Sequence, residues 1–230
     1  MTTLALNDLA DRLPSLEGRV AAVSGGGGSA RASAELFARL GAAVGVLDVD
    51  GARAEAVATG IRDTGGRALA LVADVASESD LERAAIELDE RFGPCEALVN
   101  DAEPAVGAPL EELALADWDR MIEVELTGAF LSMQVFGRRM LANRGGTVVN
   151  VSAAAGDASI ADSPGGAGRT MLSRLGAVEW GARGVRVNSI HVAKGADPIA
   201  VAVAAAFLSG DGSSYVTGES FEVDQEVRTR

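Results

Sequence analysis

The chain has 230 residues, 48% of them hydrophobic and 23% charged, with a formal net charge of −13. That is the balance of a folded globular protein. The acidic excess excludes the usual electrostatics of nucleic-acid binding or of adhesion to an anionic membrane, because phosphates and acidic headgroups would be repelled.

In chain order, residues 1–16 form an N-terminal extension that carries acids and no apolar run of signal-peptide length. A valine-rich run, Val20–Ser24, reads as the first strand. It is followed by the glycine stretch Gly25–Gly28 and an amphipathic helix over Ala32–Leu40. The pattern then repeats. Strands are expected at Ala43–Asp48, Ala68–Ala73, Ala97–Asn100, Thr147–Ser152, Val185–Ile190 and Ser220–Val223. Helices are expected at Asp50–Thr64, Glu78–Arg91, Trp118–Leu141, Thr170–Ala182 and Ile199–Leu208. Strands that lack clean polar alternation and are separated by helices predict a parallel sheet covered on both faces, the doubly wound α/β architecture. No linker or repeat divides the chain, so residues 1–230 are expected to form a single Rossmann-type domain. No stretch approaches the ~20 apolar residues of a membrane helix. The single cysteine, Cys95, suits a reducing, cytoplasmic setting. With one histidine in the chain, it also argues against a His/Cys metal site.

The first strand, glycine loop and helix have the order of a pyrophosphate cradle, in which glycines let the backbone approach a phosphate at a helix N-terminus. Gly25 and Gly28 belong to this turn. Asp48 ends the second strand, where an acid binds adenosine ribose hydroxyls in dinucleotide-binding folds.

The segments LEGRVAAVSGGG, LDVD, ADV at 73–75, ALVNDAE, WDRMIEVELTGAF, GGTVVNVSAAAG, RGVRVNSI and SSYVTGESFEVD resemble the short-chain dehydrogenase/reductase family from Leu16 to Asp224. The resemblance implies a sheet of about seven strands, assembly usually as a tetramer, and NAD(P) chemistry run by an asparagine, a serine, a tyrosine and a lysine. It also implies an adenine contact at Asp74 and a sheet-end position at Asn100.

The same alignment shows those four groups replaced. Glu125 stands at the asparagine position and Ala153 at the serine position. Counting back from Glu179 puts the tyrosine position at Asp162 and the lysine position at Gly166, with the alignment of 157–168 loose by several residues. The chain has one tyrosine, Tyr215, and one lysine, Lys194, and neither lies near these positions. The asparagine-asparagine-alanine-glycine element reads Asn100, Asp101, Ala102, Glu103. At ~5 Å and an effective dielectric near 20, each added acid costs a bound dinucleotide roughly 3 kcal/mol. The segment that normally covers the substrate is cut to the few residues between Lys194 and Pro198. Without the tyrosine, an acid/base contribution of ~10²–10⁴ in rate has no carrier. We therefore expect no cofactor on this chain, with Gly25, Gly28, Asp48, Asp74 and Asn100 left as vestiges and NAD held by a partner subunit.

What the pattern retains is apolar spacing on the helices at 118–141 and 170–182 and the terminal strand, the contact surfaces of the family's oligomers. The expectation is an inert subunit that assembles with and stabilises an active dehydrogenase paralogue. A comparable division of labour occurs in the heteromeric dehydrogenase that oxidises 2-[hydroxy(phenyl)methyl]succinyl-CoA. Two alternatives stand beside it. One is a cofactor-independent isomerase, lyase or cyclase using Glu125, Asp162 and His191. The other is residual NAD(P)-dependent oxidoreduction. His191 is read as following the sixth strand, more simply a loop histidine than a catalytic one. Arg169 and Lys194 could grip an anionic ligand but are more simply read as solvated surface, and Met121, Met133 and Met140 as core or interface packing.

Overall fold

A computed structural model describes residues 13–102, 110–143, 145–153 and 164–224. Seven parallel strands form one sheet in the order β3-β2-β1-β4-β5-β6-β7. They are β1 Val20–Ser24, β2 Ala43–Asp48, β3 Arg67–Val72, β4 Ala97–Asn100, β5 Gly146–Ala153, β6 Val185–Val192 and β7 Ser220–Val223. The helices are α1 Gly28–Arg39, α2 Gly51–Asp63, α3 Glu78–Phe92, α4 Leu115–Met121, α5 Gly128–Ala142, α6 Pro164–Trp180 and α7 Pro198–Ser209. β1 and β2 are buried at every position, as expected of strands covered on both faces.

Two apolar cores lie on opposite faces of the sheet. One joins Val23, Val46 and Val151 to Phe37 of α1, Ile61 of α2 and Val201 of α7. The other joins Leu47 and Val148 to Leu88 of α3, Phe136 of α5 and Ala177 of α6. Met121, Met133 and Met140 are all buried. The chain leaves β3 and returns beside β1 as β4. The strand order reverses there, and the ends of β1 and β4 open a crevice between them.

The long helix expected over 118–141 is broken. A π-helical turn, Ile122–Thr127, separates α4 from α5. Such turns leave carbonyls outside the regular ladder, and here Arg169 Nε donates to the Glu125 carbonyl at 2.8 Å. Gly128 follows the turn, and a Cβ there would come within 2.8 Å of Val75 Cγ2, so the turn is pressed against the segment after β3.

α6 starts at Pro164, well before the expected Thr170. A run of proline and glycines reads as loop, yet proline is tolerated in a first helical turn, and the glycines are needed for close packing. A Cβ on Gly168 would meet Leu126 Cδ1 at 3.0 Å, and one on Gly176 would meet Met133 Cε at 2.9 Å. β6 also runs past Ile190 to Val192. Only residues 193–197 separate it from α7, whose first turn is capped by the Asp197 carboxylate on the Ile199 amide at 2.9 Å. Five residues thus stand where the resemblance implies a long substrate-covering segment. No helix among the described residues is long and apolar enough to cross a membrane.

Candidate functional site

A cleft of about 490 Å³ opens at the strand-order reversal, lined by Gly25–Ser29, Asp48, Arg53, Asp74, Asp101, Arg120 and neighbouring apolar groups. Its floor requires glycine. Gly25 sits at φ +100°, and a Cβ there would come within 3.0 Å of the Asp101 carbonyl oxygen. Gly27 caps α1 without any side-chain hydrogen bond. The first-turn amides of a helix are donors in search of an acceptor, so this end of the cleft suits an anion.

Asp48 is buried at the end of β2, and its carboxylate is fully engaged. Oδ1 accepts from the Asp50 amide at 2.8 Å and Arg53 Nη2 at 2.6 Å. Oδ2 accepts from the Gly26 amide at 2.7 Å and Arg53 Nε at 2.7 Å. Burial works to raise the carboxyl's pKa, but Arg53 and the Asp50 and Gly26 amides outweigh it and hold the acid below its ordinary value. On the opposite wall, Asp74 accepts from the Ala76 amide at 3.0 Å and lies 3.7 Å from Arg120, which also pairs with Glu123 at 2.9 Å.

Asn100 is buried and donates to Asn150 Oδ1 at 2.8 Å. Asn150 in turn donates to Ser173 Oγ at 2.8 Å, which also accepts from Ser189 at 2.8 Å. This chain of side chains stitches β4, β5, β6 and α6 together beneath the cleft. Its members beyond Asn100 are short polar residues of β5, β6 and α6, and only their proximity in the fold reveals the network.

The replaced positions can be placed in part. Glu125 lies in the π-turn with its carboxylate against the first turn of α6, and a Cβ on Gly165 would meet Oε2 at 2.7 Å. An acid there is favoured by the helix dipole. Gly166 is buried in the same turn and offers no side chain. Residue 153 is the last of β5, paired with Val192. Asp162 and Glu103 lie outside the described residues, as does any pairing of Glu125 with Asp162. Tyr215 is fully exposed, and Lys194 is exposed beyond the end of β6.

Two expectations are corrected. Arg169 is not solvated surface: only 2% of it is exposed, making it the largest fully buried side chain among the described residues. Its guanidinium donates to Glu125 O at 2.8 Å, to Ala102 O at 3.2 Å and to Val151 O. An arginine is tolerated there because the fork of a guanidinium can serve several carbonyls at once. Three chain ends, after β4, in β5 and in the π-turn, converge on it. His191 is likewise no loop residue. It lies within β6, with Nδ1 3.4 Å from Ser152 Oγ and Nε2 3.3 Å from Thr170 Oγ1. The Thr170 hydroxyl donates to Gly166 O at 3.2 Å. Thr170 therefore accepts from Nε2–H, and Nδ1 accepts from Ser152. The imidazole is thus held between two hydroxyls, those of the buried Ser152 and of Thr170.

The groups present fit a nicotinamide dinucleotide at one end only. The glycine loop and the α1 terminus suit a pyrophosphate. The ribose acid, Asp48, has no acceptor capacity left for a diol, and Asp101 adds a carboxylate to the cleft wall. No described residue at the replaced positions supplies a phenol or an ammonium.

Comparison with known proteins agrees with this frame. The family described as short chain dehydrogenase matches residues 19–198. The D-threitol dehydrogenase of Mycolicibacterium smegmatis is 33% identical over 240 residues, covering 91% of this chain and 92% of its own. The (2S)-[(R)-hydroxy(phenyl)methyl]succinyl-CoA dehydrogenase subunit BbsD of Thauera aromatica is 30% identical over 233 residues, covering 89% and 94%. The crystal structure of a dehydrogenase/reductase from Sinorhizobium meliloti 1021 superposes with a TM-score of 0.86 at 29% identity, covering 91% of this chain and 95% of that one.

Proposed function

We propose that the chain, which belongs to the short-chain dehydrogenase/reductase family, is a non-catalytic subunit that assembles with an active NAD-dependent dehydrogenase of the same family and stabilises it. The observation that carries this is the replaced proton route. Counting along the sequence puts the lysine position at Gly166, a buried glycine in the first turn of α6. A carboxylate, Glu125, stands in the π-turn, and the guanidinium beneath them is spent on backbone carbonyls. A dehydrogenase must take a proton from its alcohol as hydride leaves, and these groups are not set up to do so.

The assembly half of the reading rests on exposed apolar surface. Met171, Leu175 and Val178 are 60, 54 and 83% exposed along one face of α6, and Phe130 of α5 is 46% exposed. Residues spaced by three and four share a helix face, and a contiguous apolar face of this kind marks a protein interface. The edge strand β7, hydrogen-bonded only to β6 among the described strands, is a second contact surface. The partner supplies NAD and chemistry; this chain supplies the complementary face.

The test is co-expression with an intact short-chain dehydrogenase, taken from an adjacent reading frame where one is encoded. We expect the two to co-purify, the chain alone to self-associate through its orphan face, and no NADH to form from polyols or secondary alcohols by the chain alone. NADH formation by the isolated chain overturns the reading. A second reading, a cofactor-independent acid/base enzyme, is favoured by the seating of His191 between Ser152 and Thr170. Its mark would be an activity without NAD that His191→Ala abolishes.

A further inference from the structure

We propose that Arg53 is a built-in occupant of the nucleotide site: its guanidinium takes the hydrogen bonds of Asp48 that the vicinal hydroxyls of an adenosine ribose would need, so that the cleft rejects nucleotides for as long as the pair is closed. This deepens the reading that no NAD is held here and is independent of the assembly claim.

The argument is one of saturation. An ionised carboxylate has about four acceptor positions. At Asp48 two are taken by backbone amides, Asp50 N at 2.8 Å and Gly26 N at 2.7 Å. The other two are taken by one side chain, through Arg53 Nη2 at 2.6 Å and Nε at 2.7 Å. A ribose diol presents two donors, the same number in a similar span, so it competes with Arg53 and with nothing else. The arginine also covers the backbone that a ligand must approach. A Cβ on Gly26 would lie 2.7 Å from Arg53 Cγ. Arg53 is anchored in the first turn of α2, whose cap, Asp50, lies 3.7 Å from Nη1 and holds the guanidinium at this wall. With Arg53 removed, Asp48 would remain buried against two amides and poised to accept two hydroxyl protons.

Removing Arg53 also removes a cation from a cleft meant for phosphates, so the experiment has to separate the diol from the charge. Binding of ADP and of 2′-deoxy-ADP is measured by calorimetry on the wild-type chain and on Arg53→Ala and Arg53→Met, the latter keeping the stem over Gly26. Because Arg53 is half-exposed while Asp48 is buried, we expect a gain on the order of tenfold for ADP in Arg53→Ala, no gain for 2′-deoxy-ADP, and no gain for either ligand when Asp48→Asn is added. Equal changes for the two ligands overturn the proposal, because charge or space alone would then be responsible. Micromolar binding of ADP by the wild-type chain also overturns it. So does tighter wild-type binding of adenosine 2′,5′-bisphosphate than of ADP, because Arg53 would then be a ligand and not an occupant. NADH formation is followed in parallel. Turnover by Arg53→Ala would sink the non-catalytic reading and leave this one standing, whereas loss of the diol-specific gain would do the reverse.

Discussion

Replacing Arg169 by methionine tests the claim that its guanidinium ties three segments together. The substitution keeps an unbranched stem of similar reach and removes the guanidinium from the carbonyls of Glu125, Ala102 and Val151. Two effects oppose each other. The desolvation cost of a buried cation is recovered, which favours the variant. Against it, one buried and two part-buried carbonyls on three separate segments lose a charged donor. At roughly 1 kcal/mol net for each orphaned acceptor, the loss is about 3 kcal/mol. The second effect prevails because the stem of methionine brings no donor to any of those carbonyls. Arg169→Ala also removes the packed stem and should cost about 5 kcal/mol, at roughly 0.8 kcal/mol per buried methylene. For a chain of this size, the methionine variant should melt roughly 6–12 °C lower. Urea unfolding followed by circular dichroism should show a lower midpoint at constant slope. Arg169→Lys should fall between, because an ammonium cannot span three segments. A methionine variant within 1 kcal/mol of wild type would refute the argument.

Other outcomes follow from single contacts. Leu175→Asp with Val178→Asp should convert assemblies to smaller species in sedimentation velocity and leave the circular dichroism spectrum unchanged, since both residues are exposed; loss of fold would count against an interface. Gly165→Ala drives a Cβ to 2.7 Å from Glu125 Oε2 and should cost about 1–3 kcal/mol. Gly60→Ala in α2 has nothing within 4 Å and should stabilise by about 0.5–1 kcal/mol. Cys95, its thiol pushed up to about 12 by burial, should resist thiol reagents until global unfolding; labelling at native rates would place it wrongly. Asp48 is held below its ordinary carboxylate value of 3.8. Its contribution is therefore present above about pH 4 and is lost as pH falls through the depressed value. Asp48→Asn should accordingly flatten the acid limb of the stability–pH curve, and an unchanged limb would contradict the Asp48–Arg53 pairing.

The frame was legible in the chain because hydrophobic period and glycine punctuation are local. Val20–Ser24, Ala43–Asp48, Ala97–Asn100 and Ser220–Val223 were read with the bounds they have in the fold. Boundaries slipped where packing overrode propensity. Pro164–Gly168 looks like loop but begins α6, because Glu125 and Leu126 press against it where only glycine fits. The uniform apolar spacing of 118–141 hides a π-turn, because an inserted residue changes the hydrogen-bond ladder without disturbing composition.

The absences, by contrast, needed no coordinates. The chain has one tyrosine, Tyr215, and one lysine, Lys194, and the sequence by itself shows that neither stands at the replaced positions. What the remaining charges do instead was decided by the tertiary structure alone. Arg169 is separated from Ala102 by 67 positions and Gly26 from Asp48 by 22. Whether an arginine faces water or three carbonyls depends on which strand ends the fold brings within a few ångströms of its fork. Charge and spacing are properties of the chain; the partner of a charge is a property of its neighbours in space.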